Sequence, residues 1–188
     1  MASKIKVDQI QTGDGTGTIA LQNQLSGMTH ASVPTLTSNH MPAGSVLQVI
    51  EATHKLDGSD GNTAVSTGSY VTVYSGTITP SSTSSKILVK LTASLQAENN
   101  VTSWPAPQVA VNVFRGSTEM WHHGSGAYYY HRQNVYATHY QDAMLSLEKL
   151  DSPSSTSAVQ YDVKLRVHDG ATSGRMKGSA LILMEIAG

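Results

Sequence analysis

Val159-Gln160-Tyr161-Asp162-Val163-Lys164-Leu165-Arg166-Val167-His168 decides the fold class. Val159, Tyr161, Val163, Leu165 and Val167 point one way and Gln160, Asp162, Lys164, Arg166 and His168 the other. Alternation of this kind suits a half-buried strand and cannot be accommodated on a helix. Working back along the chain, Ile87, Val89, Leu91, Ala93 and Leu95 share one face while Lys90, Thr92, Ser94 and Gln96 take the other. Val46 to Ala52, Tyr70 to Ile78, Val109 to Val113 and Ala143 to Leu147 supply further strands, with another around Val135 to His139. Thr79-Pro80 closes the second of these, because proline cannot continue a ladder. Ala143, Leu147 and Leu150 also fall at helical spacing, but the loop Asp151 to Ser157 that follows favours a hairpin, hence a strand. The last run, Ala180 to Ile186, is apolar on both faces apart from Glu185, so both faces are expected to be covered, one of them by another subunit. Together these predict an all-β chain: an antiparallel, jelly-roll-like β-sandwich of about eight strands.

Composition agrees. Ser and Thr number 43 of the 188 residues, charged residues are only 13% and aromatics 6%, a balance that favours strands and turns over long helices. Twelve basic against thirteen acidic side chains leave a net charge of −1, so no cationic surplus is available for nucleic acid. The longest apolar run is Ala180 to Met184, far short of the roughly 18 residues of a membrane-spanning helix, so no membrane insertion is expected. Met1 to Asp8 carries charge with no apolar stretch behind it and does not read as a secretory signal. Cysteine is absent, which excludes disulfides, thiolate metal sites and cysteine nucleophiles.

Residues 1–41 contain no Trp, Tyr or Phe, and their Ile5, Val7, Ile10, Ile19 and Leu21 are scattered among Gly, Thr, Gln, Asn and Ser. Too little apolar surface is present for a core, so the segment reads as short extended pieces that need a partner surface. Copies of the chain wound together, or another protein accepting an added strand, would provide one; the alternative is a solvated tail. Met41-Pro42-Ala43-Gly44 marks the boundary, giving an extended segment at 1–41 and the sandwich at 42–188.

No motif points to catalysis. There is no Gly-x-Ser-x-Gly elbow, and Gly13-Asp14-Gly15-Thr16-Gly17 lacks the lysine of a phosphate-binding loop. Asp57 and Asp60 open a Gly-rich loop, but Gly68 stands where a calcium loop needs its bidentate Glu. The eight histidines lack metal-ligand spacing, and a metal could be built from them only on a threefold axis. The chain is therefore expected to be no enzyme and to hold no metal or other cofactor.

One stretch has the composition of a binding surface. Trp121, Tyr128, Tyr129, Tyr130, Tyr136 and Tyr140 are six of eleven aromatics, interleaved with His122, His123, His131, Arg132 and His139. Flat aromatic faces with nearby hydrogen-bonding groups suit sugar rings or a protein epitope. Packing of a trimer interface, or of the end of the sandwich, would use the same residues.

Lys4 to Ile10 with Gly15 to Ile19, Pro42 to Val49, Ile78 to Val89 and Leu183 to Ile186 resemble bacteriophage tail-fibre proteins, particularly those of marine and cyanobacterial phages. Between Asn99 and Tyr140 the resemblance stops. It implies a homotrimeric virion component, assembled in the host cytoplasm and released by lysis. Its segment 1–41, through Ile5, Val7, Ile10, Ile19 and Leu21, would dock on another virion protein. Its sandwich would bind a host surface glycan or protein through Trp121, His122, His123, Tyr128, Tyr129, Tyr130, His131 and Arg132. The alternative is a capsid decoration, cement or head-fibre protein with no receptor to bind.

Overall fold

Period-two patterning becomes ladder pairing across most of the chain. The computed structural model describes residues 41–54, 63–99, 108–121, 129–130, 139–168 and 172–188, all within one compact unit, Thr37–Gly188. The described residues form ten strands: β1 (Val46–His54), β2 (Thr63–Val65), β3 (Val71–Ile78), β4 (Lys86–Asn99), β5 (Gln108–Arg115), β6 (Thr118–Glu119), β7 (Tyr129–Tyr130), β8 (His139–Asp151), β9 (Val159–His168) and β10 (Ser173–Ile186). None of the described residues is helical, and the alternative helix at 139–150 is strand β8.

The strands make two antiparallel sheets. One runs β1-β10-β4-β8, with β2 beside the first part of β10; the other runs β3-β9-β5, with β6 and β7 on the far edge of β5. Nested pairs, β1 with β10, β3 with β9, β4 with β8 and β5 with β6 and β7, describe one long hairpin rolled into two sheets, the jelly-roll path. Seven long strands and the interrupted β6/β7 fill its eight positions. The strand expected around Val135 to His139 lies outside the described residues, save His139, which begins β8.

The core lies between the two sheets. Ile87, Val89, Leu91, Ala93, Leu95 and Ala97 of β4 face Val109, Val111 and Val113 of β5 and Tyr161, Val163 and Leu165 of β9, and all are buried. Each such Val, Leu or Ile contributes about 1.5–3 kcal/mol by leaving water. The sheets approach closely at one end: a Cβ on Gly174 would meet Val109 Cγ2 at 2.9 Å.

β10 begins at Ser173, well before the apolar run. A bulge between Met176 and Gly178 interrupts the alternation, so the first half carries no periodic signal. Beyond it Leu181, Leu183 and Glu185 turn to the core side, while Ala180, Ile182, Met184 and Ile186 lie half-buried on the outer face.

Glu185, only 1% exposed, is a carboxylate on the core side of a strand. Its Oε1 accepts from Ser81 N–H at 2.6 Å, Ser81 Oγ at 2.7 Å and Ser85 Oγ at 2.7 Å, and its Oε2 from Gln48 Nε2 at 2.7 Å. Burial pushes the carboxyl up, but these donors together outweigh it and hold it below its ordinary value of 4.5. Four donors from β1 and the β3–β4 loop are thereby tied to the end of β10. A second clasp closes the other sheet edge: Asp151 takes Arg115 in a bidentate pair at 2.7 and 3.1 Å and the Tyr161 hydroxyl at 2.7 Å.

Glu185→Gln is expected to lower stability by about 1–3 kcal/mol at neutral pH, since buried donors lose an ionised acceptor. The folded pKa lies below the unfolded one, so the benefit is complete above pH 4.5 and is lost as pH falls through the lower folded value. Urea denaturation of both proteins across that range checks this; a gap that stays constant on acidification would contradict it.

Candidate binding surfaces

After β5 the chain turns at Gly116, in the left-handed region with φ +60°, and returns as β6. Past β6 the ladder is carried on by a side chain. Buried Asn112 donates from Nδ2 to the Trp121 carbonyl at 2.6 Å and accepts from Trp121 N–H at 3.3 Å and Val113 N–H at 2.8 Å. The Trp121 ring packs half-buried against the core, and its Nε1–H donates to the Glu148 carbonyl of β8 at 3.1 Å. Trp121 thus braces the β5–β6 edge of one sheet against the edge strand of the other.

The rest of the expected receptor stretch is placed only in part. Tyr129 and Tyr130 form β7 opposite Val109 and Gln108, on the same edge of β5 that carries β6, so Trp121 and Tyr129 are anchored along one strand. His122, His123, Tyr128, His131 and Arg132 lie outside the described residues, as do the docking candidates Ile5, Val7, Ile10, Ile19 and Leu21. Among the described residues no group of three His, Asp or Glu could hold a metal ion.

The two outer faces of the sandwich differ. On the β3-β9-β5 sheet, Lys164 Nζ sits 4.6 Å over the Phe114 ring and Arg166 4.8 Å over Tyr70, while Tyr70 meets Phe114 edge-on at 5.0 Å. The aliphatic stems and cations of this sheet cover its own aromatics. Beside them Asp162 Oδ1 accepts from Ser75 Oγ at 2.6 Å and Gln160 Nε2 at 2.7 Å. Burial raises the Asp162 carboxyl, and these bonds with nearby Lys164 more than reverse that, leaving it below its ordinary value.

The β1-β10-β4-β8 face has no such cover among the described residues. Strand registers set Val49, Met184, Leu88 and Leu150 in one row across all four strands, with Val46 opposite Ile186 next to it. Val46 is 51%, Val49 54% and Leu150 48% exposed. The next row, Glu51, Ile182, Lys90 and Glu148, holds the ion pair Lys90–Glu148 at 2.6 Å. Further along come Thr53, Ala180, Thr92 and Ser146, then Gly178, Ser94 and Met144. Small side chains in these last rows open a cleft of about 440 Å³ lined by Glu51, His54, Thr92, Ser94, Gly178 and Met144. Met144 stands 79% exposed at its margin. Under the cleft the His54 ring lies 5.6 Å from Tyr74, whose oxygen accepts from Ser179 Oγ at 2.8 Å. Burial drives the Tyr74 phenol up to about 12, partly offset by the Ser179 bond.

The apolar row was not foreseen from sequence. Leu88 is followed on its strand face by Lys90, Thr92 and Ser94, and Leu150 is separated from Met144 on its own by Glu148 and Ser146, so only the registers bring the two leucines into line with Val49 and Met184. No protein-family model matches the chain, and no curated protein sequence matches it significantly.

Trp121→Ala is expected to cost about 2–4 kcal/mol, below a fully buried Trp because the ring is half-exposed, and Trp121→Phe about 1 kcal/mol for the lost bond to Glu148. Urea denaturation reads both. Unchanged stability in the alanine variant would remove the bracing role.

Proposed function

We propose that this chain is a structural protein of a bacteriophage virion, a homotrimeric tail fibre whose sandwich meets the host cell surface. The observation that carries the reading is the apolar row Val49-Met184-Leu88-Leu150 on an outer face that the described residues of the chain leave uncovered. A protein that works as a monomer rarely presents a contiguous apolar band across a whole sheet; one built for assembly does. The jelly-roll body and the similarity of both chain ends to tail-fibre proteins agree with this role. Residues 1–41, too poor in apolar surface to fold alone, then join the trimer to the particle. The aromatic and histidine-rich stretch from Trp121 to Arg132 meets a surface glycan or protein. Three equivalent weak sites gain avidity, because one engaged site raises the effective receptor concentration at the other two.

Electron microscopy of particles labelled with antibody to this chain is expected to mark the tail fibres. Label on the capsid shell would replace the fibre reading with a decoration protein. In the same particles, replacing Tyr128, Tyr129 and Tyr130 with Ala is expected to weaken adsorption to cells by tenfold or more, as loss of aromatic contact area would. Unchanged adsorption by a folded variant would assign those tyrosines to packing.

A further inference from the structure

We infer that the outer face of the β1-β10-β4-β8 sheet is the surface on which copies of this chain meet, the β1 side of one copy lying against the β4–β8 side of the next. The inference rests on the trimeric reading and names the face that makes it.

Four observations converge on a second copy as the occupant. Exposed apolar side chains are concentrated here: Val46, Val49, Met144 and Leu150 all lie on this one sheet. The opposite outer face spends Lys164 and Arg166 covering Phe114 and Tyr70 and shows no comparable row among the described residues. Charge is split across the face in the sense a ring requires. Glu51 flanks Val49 on β1, whereas Lys86 and the Lys90–Glu148 ion pair flank Leu88 and Leu150 on β4 and β8, so that half of the face keeps a positive charge at Lys86. A neighbour turned to set its Val49 against Leu88 and Leu150 with its Glu51 toward Lys86 matches opposite charges, and a head-to-tail contact of this kind closes into a ring when the rotation is threefold.

The fourth observation is where the chain enters. Gly44 N–H donates to the Ala187 carbonyl at 2.8 Å, and Ala187 N–H to the Ser45 carbonyl at 2.8 Å, so Met41 joins the sandwich at the end of β10 beside Val46 and Ile186. Forty residues precede Met41. Copies packed through this face start those three leading segments from one shared end. At the other end of the face, Met144 is an exposed, flexible apolar side chain beside a 440 Å³ cleft, which gives an interface there both a projection and a recess.

The test uses the full chain and light scattering at a fixed concentration. The native protein is expected at three times the mass of the chain. Val49→Glu with Leu150→Glu, at two half-exposed positions, is expected to give a monomer with an unchanged far-ultraviolet circular dichroism spectrum. Val71→Glu, at an exposed apolar residue of the other sheet, is expected to leave the trimer intact. A trimer surviving in the double variant would overturn the assignment of this face and leave the trimeric reading standing; a monomeric native protein would overturn both. Should the double variant not fold, Met144→Asp is read in its place: a tenfold or larger rise in the dissociation constant supports the face, and an unchanged constant overturns it.

Discussion

The register of β10 between β1 and β4 is the constraint on which the rest of the sandwich depends, and the buried carboxylate of Glu185 fixes it. Side chains alternate along a strand, so a slip of one residue would turn Leu181, Leu183 and Glu185 outward and carry Ile182 and Met184 into the core. An apolar strand flanked by apolar neighbours tolerates such a slip better than most, since either face could be buried. Glu185 removes the degeneracy. Its four donors come from Gln48, Ser81 and Ser85, and they meet the carboxylate in one register only. Any other alignment leaves an ionised group, or the donors that serve it, unpaired in a dry place.

The same economy is seen at the opposite edge. β8 pairs with β4 along its whole length, but on its other side the described residues supply only local ties. Arg115 and Tyr161 hold its last residue, Asp151, and the Trp121 indole caps the Glu148 carbonyl. Burial, with the neighbouring carboxylate, keeps the Tyr161 phenol far above its ordinary pKa, so it remains a donor throughout the working range. Asn112, though polar, is among the most buried residues because its amide extends the β5 ladder to reach Trp121. The sandwich is therefore stitched at its two ends by polar groups, while Val, Leu and Ala fill the middle. With no cysteine and eleven aromatics in 188 residues, the chain has few other means of closing its edges.

What sequence revealed and what it hid divide along the range of the interactions. Alternation from Val159 to Val167 and from Ile87 to Leu95 is a local property of each strand, and both runs stand in the structure as read, except that Gln96, expected on the wet face, is buried; the His168 side chain lies outside the description. The first half of β10 was illegible because Lys177 and Gly178 sit at a bulge that shifts the alternation. β2 and β6 are three and two residues long, too short for any period. The apolar row on the outer face joins residues 49, 88, 150 and 184, and depends on three registers at once, which no single strand records. Trp121 was visible as an unusual aromatic, but its bracing role depends on Asn112 and Glu148, nine and 27 residues away.

The contrast between the two outer faces carries the strongest functional information in the molecule. Both sheets put large apolar or aromatic groups on their solvent sides, yet they treat them oppositely. The β3-β9-β5 sheet lays Lys164 and Arg166 over its rings, and Asp162 is satisfied by Ser75 and Gln160. The β1-β10-β4-β8 sheet pairs its Lys90 with Glu148 alongside the apolar row, not across it. Covering Leu88 and Met184 would have required only long polar stems at positions 49 and 150, where the chain instead carries Val and Leu. Leaving those positions apolar costs stability and invites aggregation in a monomer, and becomes favourable once a matching surface removes them from water. Among the described residues one face is shielded and the other left bare, and that asymmetry is what the proposed contact between copies uses.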